Sequence, residues 1–421
     1  MQCPRLCHLG PLPRNRPPWR GVGYGSRVPG PLLLCFAFLL LVAVLVSELA
    51  HRTILSTAVL FLLGGFVLGP GVLGVIDLDV RDPIVGTLAE LALFSVLFTD
   101  GMRVGLGDLR SAWRLPGRAL LFGLPLTMLV TAVFARYVAG LPWLESLLIG
   151  AVLAPTDPVF ASAIVGREEV PGRLRHLLNV ESGVNDGLAL PIVLVLLAAA
   201  GGTEASGLVL AQELVLGIGI GVAVPALVVW LERLPFLAAR QALQPLVAVS
   251  VGLLVLAICK ATHANLFLGA FAAGVALATL SDEFRREFEQ FGELVTELLK
   301  LAAILVFGAL ITPKLLFGEI PLAGWLFAIL VLVLARPVAL LVSLLGSGLS
   351  MREQVAAMWF GPKGFASVVY ALIVLASGIE FADQIYQLVA LVIALSILAH
   401  SSTDVIVAKQ FEKATPASSS Q

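Results

Sequence analysis

Residues 177–197, LLNVESGVNDGLALPIVLVLL, are apolar enough for the interior of a lipid bilayer but contain two carboxylates. The polar side chains of this segment are Glu181, Ser182, Asn185 and Asp186. A charged side chain at the bilayer centre costs at least about 2.5–3.5 kcal/mol on insertion scales, so intramembrane acids tend to be functional. The segment is therefore the first place to look for a site.

These four side chains fall on two neighbouring faces of a helix. Ser182 and Asp186 lie four residues apart and share one face, while Glu181 and Asn185 share the adjacent one. The two faces diverge by about 100 degrees. The two carboxylates can therefore serve different purposes.

One guanidinium falls far from the ends of a predicted membrane span, that of Arg336 in LVLARPVAL. A buried arginine needs a fixed anion and pairs best in fork geometry, and Glu181 is the natural candidate. Asp186 is then left without a permanent counter-charge. A desolvated carboxylate of this kind can exist protonated, or ionised with a cation bound.

Hard cations prefer oxygen ligands. Oxygen atoms near Asp186 would come from Ser182, from Thr156 and Asp157, and from carbonyls of the segment that contains the last two. One carboxylate that holds either a proton or a monovalent cation is already an exchange device.

The composition identifies the class of protein. Of 421 residues, 59% are hydrophobic and 13% charged, and the mean hydropathy is +0.99, so the chain is a polytopic membrane protein. The four cysteines show no zinc or disulfide spacing, and there is no glycine-rich phosphate loop, HExxH motif or basic patch for nucleic acid. No cofactor is expected.

Thirteen apolar runs are long enough to predict membrane spans, which makes the expected fold all-helical. They lie near 31–49, 53–76, 83–101, 117–139, 143–166, 174–200, 207–231, 241–262, 264–280, 294–312, 321–346, 353–377 and 383–407.

Two of these spans should be broken. Span 5 contains GAVLAPTDPVFASAIVG, where two prolines bracket Thr156 and Asp157, and span 12 contains AMWFGPKGFASVV, where two glycines and a proline surround Lys363. Proline removes an amide donor and clashes with the preceding turn. Taken singly, each proline is equally compatible with a simple kink. Opened backbone at that depth is tolerated where it lines a cavity or is buried in protein.

The broken spans lie seven apart, so they cross the bilayer in opposite directions. Interrupted segments at matching positions of two halves indicate an inverted-repeat transporter with its site between them. Spans 1–6 and 8–13 would be the repeats, with span 7 as linker. Asp157 and Lys363 would offset the partial charges of the new helix ends.

The distribution of lysine and arginine predicts the orientation. Beyond residue 30, fifteen lie on the side that includes the C-terminus and four on the other, so the C-terminus is expected in the cytoplasm and the N-terminus outside; the five arginines of residues 1–30 disagree with this orientation. Residues 1–30 are rich in arginine, proline and glycine and should be disordered. We interpret them as a misassigned start, or else as a cleaved or targeting segment. Residues 408–421 are expected to form a short cytoplasmic tail.

Three other interpretations remain open at this point. A rigid, non-transporting bundle would pair Asp186 with Lys363 and Glu181 with Arg336. An intramembrane aspartyl protease would use Asp157 and Asp186 as a dyad, but neither acid lies in a Gly-x-Gly-Asp or Tyr-Asp signature; the Gly-x-Gly-Asp match at residues 105–108 falls between predicted spans. A sensor or channel scaffold would need a signalling domain, which the sequence does not show.

The motifs LAPTDPV, NVESGVNDG, LARPV and WFGPKGFASVV, in this order, are similar to the core motifs of the monovalent cation:proton antiporters. The chain resembles the sodium/proton exchanger branch with an Asn-Asp pair. GGFVLGPGVLG, LFSVLFTDGMRVG and NLFLGAFAAGVAL are supporting matches, and the resemblance extends from about residue 35 to 405.

The resemblance implies specific roles for the residues above. Asp186 would be the shared site for a proton and for Na⁺ or Li⁺, with Asp157, Ser182 and the Thr156 main-chain carbonyl as co-ligands. Glu181 would act through water and pair with Arg336, and Asn185 would touch that pair. By the same resemblance, four residues would support the site without binding the cation directly: Glu181, Asn185, Arg336 and Lys363.

The resemblance also implies a homodimer in the bilayer. A mobile six-helix core, about 117–200 and 321–407 within the transmembrane domain 31–407, would move against a dimer domain, about 31–101 and 207–312. Asn185 stands where electrogenic relatives carry an aspartate, which implies electroneutral exchange of one cation per proton. The same fold could instead move K⁺, for which the sequence holds no selectivity signal.

Four charged residues depart from the pattern or stay unassigned. Many members of this branch have arginine where this chain has Lys363, and lysine lacks the bidentate geometry. Lys300 has Glu297 three residues earlier, so we expect a helix-surface pair or a snorkelling side chain. Asp100 could funnel cations or satisfy local backbone, of which we expect the second, and Glu90 has no assigned role.

Overall fold

The structure, a computed structural model, is all-helical over the residues that it describes. These residues are 30–46, 56–104, 115–157, 170–202, 207–234, 236, 240 and 243–412. The predicted all-helical fold is confirmed. The predicted N-terminal tail, apart from residue 30, and residues 413–421 lie outside the described part.

Each of the thirteen predicted spans corresponds to a helix, and span 12 corresponds to two. In chain order the helices are α1 Gly30–Leu45, α2 Thr57–Leu68, α3 Pro83–Arg103, α4 Pro116–Tyr137, α5 Trp143–Leu153, α6 Gly172–Ala199, α7 Gly207–Glu232, α8 Gln244–Thr262, α9 Leu266–Leu280, α10 Asp282–Leu310, α11 Leu322–Ser343, α12 Met351–Trp359, α13 Phe365–Ser377 and α14 Ala382–Glu412. Among the described residues, seven helices (α3, α4, α6, α7, α8, α11 and α14) are long and apolar enough to cross a membrane.

Helix α10 begins well before the predicted position near residue 294. The Ser281 side chain caps it by accepting a hydrogen bond from the Phe284 amide (3.3 Å), and Asp282 and Glu283 place negative charge in its first turn. The polar residues 282–293 hid this beginning from a search for apolar runs. Helix α14 likewise continues to Glu412, beyond the predicted end at 407.

Other helices begin and end at recognisable capping residues. Asn265 caps α9 through the Leu268 amide (2.9 Å), and Ser350 and Glu353 form a reciprocal capping box at the start of α12. Gly378, with φ of 67°, ends α13 in the left-handed conformation that favours glycine.

Several helix pairs pack closely near the predicted breaks. Helix α9 packs against α3 and α7, and α10 packs against α2 and α3, while α5 packs against α4 and α6, and α13 against α14. Helix α5 ends at Leu153, and non-helical residues 360–364 separate α12 from α13. Both predicted breaks are thus present; in span 5 the described residues stop at Asp157.

Candidate ion-binding site

The two unwound segments cross each other inside the protein. The Asp157 amide donates to the Pro362 carbonyl (2.9 Å), so the backbone of one break satisfies the backbone of the other. Gly364 allows this approach, because a β-carbon there would overlap the Asp157 side chain. The crossing brings the first break of the sequence next to the second.

Two carbonyls at the end of α5 lie within hydrogen-bonding distance of side chains from the second break and from α13. The Ser367 hydroxyl donates to the Val152 carbonyl (2.7 Å), and Lys363 Nζ lies 3.5 Å from the Ala154 carbonyl. A helix C-terminus carries partial negative charge, so a buried ammonium there is favourable. No ion pair joins Lys363 to Asp186 among the described residues, so the pairing on which a rigid bundle depended is wrong.

Arg336 on α11 forms a bidentate ion pair with Glu181 on α6. The guanidinium nitrogens lie 2.6 and 2.9 Å from the two carboxylate oxygens, and Nε donates to the Ala357 carbonyl (3.1 Å). Both side chains are buried. Gly361 packs directly on the guanidinium, where a β-carbon would clash. The fork geometry that the sequence suggested for this pair is present.

Lys300 on α10 is the largest departure from the sequence-based expectation. Its side chain is 5% exposed, and Nζ lies 3.2 and 3.4 Å from the two carboxylate oxygens of Asp157. The expected surface pair with Glu297 is therefore wrong. A buried ammonium group needs a carboxylate beside it, because an unpaired charge in the protein interior is strongly destabilising.

A short chain of polar groups links α6 to the first break. Thr156 Oγ1 lies 3.2 Å from Ser182 Oγ and accepts a hydrogen bond from the Asn185 amide nitrogen (2.8 Å). The side-chain amide oxygen of Asn185, Oδ1, is buried with no hydrogen-bond partner among the described residues. Asn185 was expected to touch the Glu181–Arg336 pair, and its amide nitrogen instead binds Thr156.

Asp186 is the acid without a fixed partner. It is 4% exposed, and its carboxylate makes no hydrogen bond or ion pair with the described residues. Its main-chain carbonyl accepts a hydrogen bond from Tyr370 on α13 (2.8 Å). Asp100, Asp157 and Lys300 lie close enough for their charges to interact with it.

Helix α3 carries two acids, Asp100 and Glu90, whose neighbours the structure shows. Asp100 is buried, and Arg103 Nη1 lies 3.6 Å from it and pairs more closely with Glu293 (3.0 Å, through Nε). Asp100 therefore belongs to the charged surroundings of the site, in addition to any local backbone role. Glu90 forms an ion pair with Lys260 at the edge of the protein.

Sequence reasoning thus missed three residues near Asp186, namely Lys300, Asp100 and Tyr370. Lys300 carried a usable signal, since it was one of only three cations well away from the ends of the predicted spans, with Arg336 and Lys363. Tyr370 carried none, because a tyrosine in an apolar helix is usually explained by packing.

The family model described as sodium/hydrogen exchanger, transmembrane, matches residues 37–409. The chain belongs to the sodium/hydrogen exchanger family. This is a family of cation:proton antiporters and not of enzymes, so the protease alternative has no support.

Two curated relatives and one solved structure extend the comparison. The K⁺/H⁺ antiporter NhaP2 of Shewanella sp. (strain MR-4) is 27% identical over 379 residues, covering 87% of this chain and 64% of that protein. The K⁺/H⁺ antiporter NhaP of Alkalimonas amylolytica is 25% identical over 370 residues, covering 86% and 63%. The sodium proton antiporter MjNhaP1 from Methanocaldococcus jannaschii has the same fold, with a TM-score of 0.74, 20% identity and coverage of 89% of this chain and 98% of that one.

This chain spans just under two thirds of the length of the curated relatives. The fold and the family follow from these comparisons, together with the multi-pass membrane location.

Proposed function

We propose that the protein exchanges Na⁺, or Li⁺, for H⁺ across the membrane by alternating access, with Asp186 as the shared site. The observation that carries this proposal is the contrast between two acids of one helix. Glu181 has a fixed bidentate partner, whereas Asp186 is buried beside the broken segments and forms no ion pair with the described residues. Such a carboxylate is stable when it holds a proton or a cation.

The proposed cation ligands come from residues around Asp186. Asp157 supplies a carboxylate, Ser182 a hydroxyl and Thr156 its main-chain carbonyl, and other carbonyls of the unwound segment supply the rest. Among the described residues, no three His, Cys, Asp or Glu side chains converge as metal ligands do. A mixed set of carboxylate, hydroxyl and carbonyl oxygens suits a singly charged ion better than a divalent one, because it brings less negative charge.

Lys300 takes part in this cycle as an internal competitor for Asp157. Its ammonium lies 3.2 Å from Asp157 and neutralises that carboxylate. An arriving cation replaces part of that interaction, so the buried negative charge is compensated in both states. Cation binding and the position of Lys300 are thereby coupled.

The transport cycle uses two parts of the fold. The core, about 117–200 and 321–407, would carry the site, and the dimer domain, about 31–101 and 207–312, would support its movement in a homodimer. One exchangeable acid beside Asn185 gives one cation per proton, which is electroneutral. The lysine and arginine distribution supports a cytoplasmic C-terminus and an external N-terminus.

The second candidate is K⁺/H⁺ exchange at the same site. The observation that favours it is that relatives covering most of this chain are named K⁺/H⁺ antiporters. Because the residues proposed as ligands are the same, the choice depends on the spacing of their oxygen atoms.

The test measures proton movement in proteoliposomes when Na⁺, Li⁺ or K⁺ is added, for the wild type, Asp186→Asn and the control Asp383→Asn. Asp383 is an exposed acid in the first turn of α14. We expect Na⁺- and Li⁺-driven exchange in the wild type and the control, and none in Asp186→Asn. Exchange that survives in Asp186→Asn would contradict the proposal, and a response to K⁺ alone would select the second candidate.

A further inference from the structure

Helix α13 carries two buried hydroxyls one turn apart that reach two different helices. Ser367 Oγ donates to the Val152 carbonyl at the end of α5 (2.7 Å), and Tyr370 Oη donates to the Asp186 carbonyl in α6 (2.8 Å). Both side chains are completely buried. Side chains of α13 therefore contact both the end of α5, next to the first break, and Asp186, the acid of the proposed site.

The Val152 carbonyl needs a donor from outside its own helix. Helix α5 ends at Leu153, so the amide that would follow four residues later is no longer in helical position. A buried carbonyl without a partner costs about 1–3 kcal/mol. Ser367 satisfies this group and fixes the end of α5 against α13.

Helix α6 is also weakly supported near Asp186. Pro191 lies inside the helix, lacks an amide hydrogen, and crowds the Gly187 carbonyl one turn earlier. Gly187, next to Asp186, packs on the Phe271 ring and adds no side-chain contact of its own. The Tyr370 hydroxyl supplies a donor from a neighbouring helix to the adjacent carbonyl, that of Asp186.

We propose that Ser367 and Tyr370 are positioning residues that set the cation selectivity of the site. They do not touch the cation; they hold the end of α5, which leads to Thr156 and Asp157, at a fixed distance from Asp186. Because Li⁺, Na⁺ and K⁺ differ in size, the rigidity and spacing of their oxygen ligands decide which ion fits. This inference rests on the proposed function and adds the residues that determine its substrate.

The decisive variant is Tyr370→Phe, which removes the hydroxyl and leaves the ring. Its matched control is Tyr386→Phe on α14, because Tyr386 is also buried and its hydroxyl has no hydrogen-bond partner among the described residues. The experiment measures the half-saturating concentrations of Li⁺, Na⁺ and K⁺ and the maximal rate in proteoliposomes. A ratio of half-saturating concentrations does not depend on how much protein folds.

We expect Tyr370→Phe to change the ratio between two of these cations by about threefold to tenfold, as the loss of one buried hydrogen bond would allow. The maximal rate should change less than the ratio, and Tyr386→Phe should match the wild type. Unchanged ratios in Tyr370→Phe would overturn the proposal, as would equal changes in both variants.

Ser367 provides the second line of the test, which also decides the matter if Tyr370→Phe does not fold. Ser367→Ala should shift the ratios in the same way, and Ser367→Thr, which keeps a hydroxyl, should restore them; wild-type ratios in Ser367→Ala would overturn the proposal. Failure of this inference is distinguishable from failure of the proposed function. In the first case Asp186→Asn is inactive while the ratios stay constant, and in the second Asp186→Asn still exchanges.

Discussion

The region around Arg336 and the region around Lys300 each bury an ion pair, and the two pairs differ in geometry. Arg336 and Glu181 make two hydrogen bonds of 2.6 and 2.9 Å, with Gly361 packed on the guanidinium. Lys300 reaches Asp157 at 3.2 and 3.4 Å, with a flexible side chain and a compact ammonium. The first pair is short and bidentate, and the second is longer.

The two pairs also differ in the helices that they join. Arg336 and Glu181 belong to α11 and α6, both within the proposed core, so they can remain paired as the core moves. Lys300 belongs to α10, in the proposed dimer domain, and Asp157 to the broken segment of the core. Burial alone therefore does not make an ion pair permanent. The geometry of the pair and the helices that it joins decide whether one partner can be replaced.

The largest expected effect comes from breaking the short pair. Arg336→Ala leaves Glu181 buried without a partner, which should destabilise the protein by about 3–5 kcal/mol. Thermal unfolding in detergent measures this loss, and added Na⁺ or K⁺ should restore little of it. Arg336→Lys, which keeps the charge but not the fork, should fall between the wild type and Arg336→Ala. Wild-type stability in Arg336→Ala would contradict a structural role for the pair.

A smaller and cation-dependent effect is expected from the longer pair. Lys300→Met should leave a protein that is destabilised without salt and recovers when a transported cation binds Asp157, by about 2.7 kcal/mol at 100 times the dissociation constant. Glu297→Gln, one turn earlier on the same helix, is the control and should behave as the wild type. If Lys300→Met stays as unstable in saturating cation as without it, the two pairs are equivalent and the comparison fails.

Much of the site was predictable because few residues could fill each role. Glu181 was the obvious partner for Arg336, the one guanidinium far from the ends of a predicted span, and the fork geometry between them is present. The prolines and glycines around Thr156 and Lys363 predicted both breaks, because backbone chemistry at these residues is local. The helices themselves followed from apolar length, apart from polar ends such as residues 282–293.

The partners of Lys300 and Asn185 were not predictable, for a physical reason. Whether Lys300 meets Glu297 or Asp157 depends on which side of α10 faces the core, and 143 residues separate Lys300 from Asp157. The Asn185 amide similarly chooses between two neighbours according to how closely α6 approaches the first break. Tertiary packing decides these contacts, and the local pattern does not encode them.

The most direct test of the central claim is the number of protons released when a cation binds the purified protein. Adding saturating Na⁺, or K⁺ if that ion is transported, to the weakly buffered wild-type protein at a pH where Asp186 is protonated should release about one proton per protomer, by mass action at a shared site. Asp186→Asn should release none, while Asp383→Asn should match the wild type. Cation binding without proton release in the wild type, or the same release from Asp186→Asn, would contradict the account.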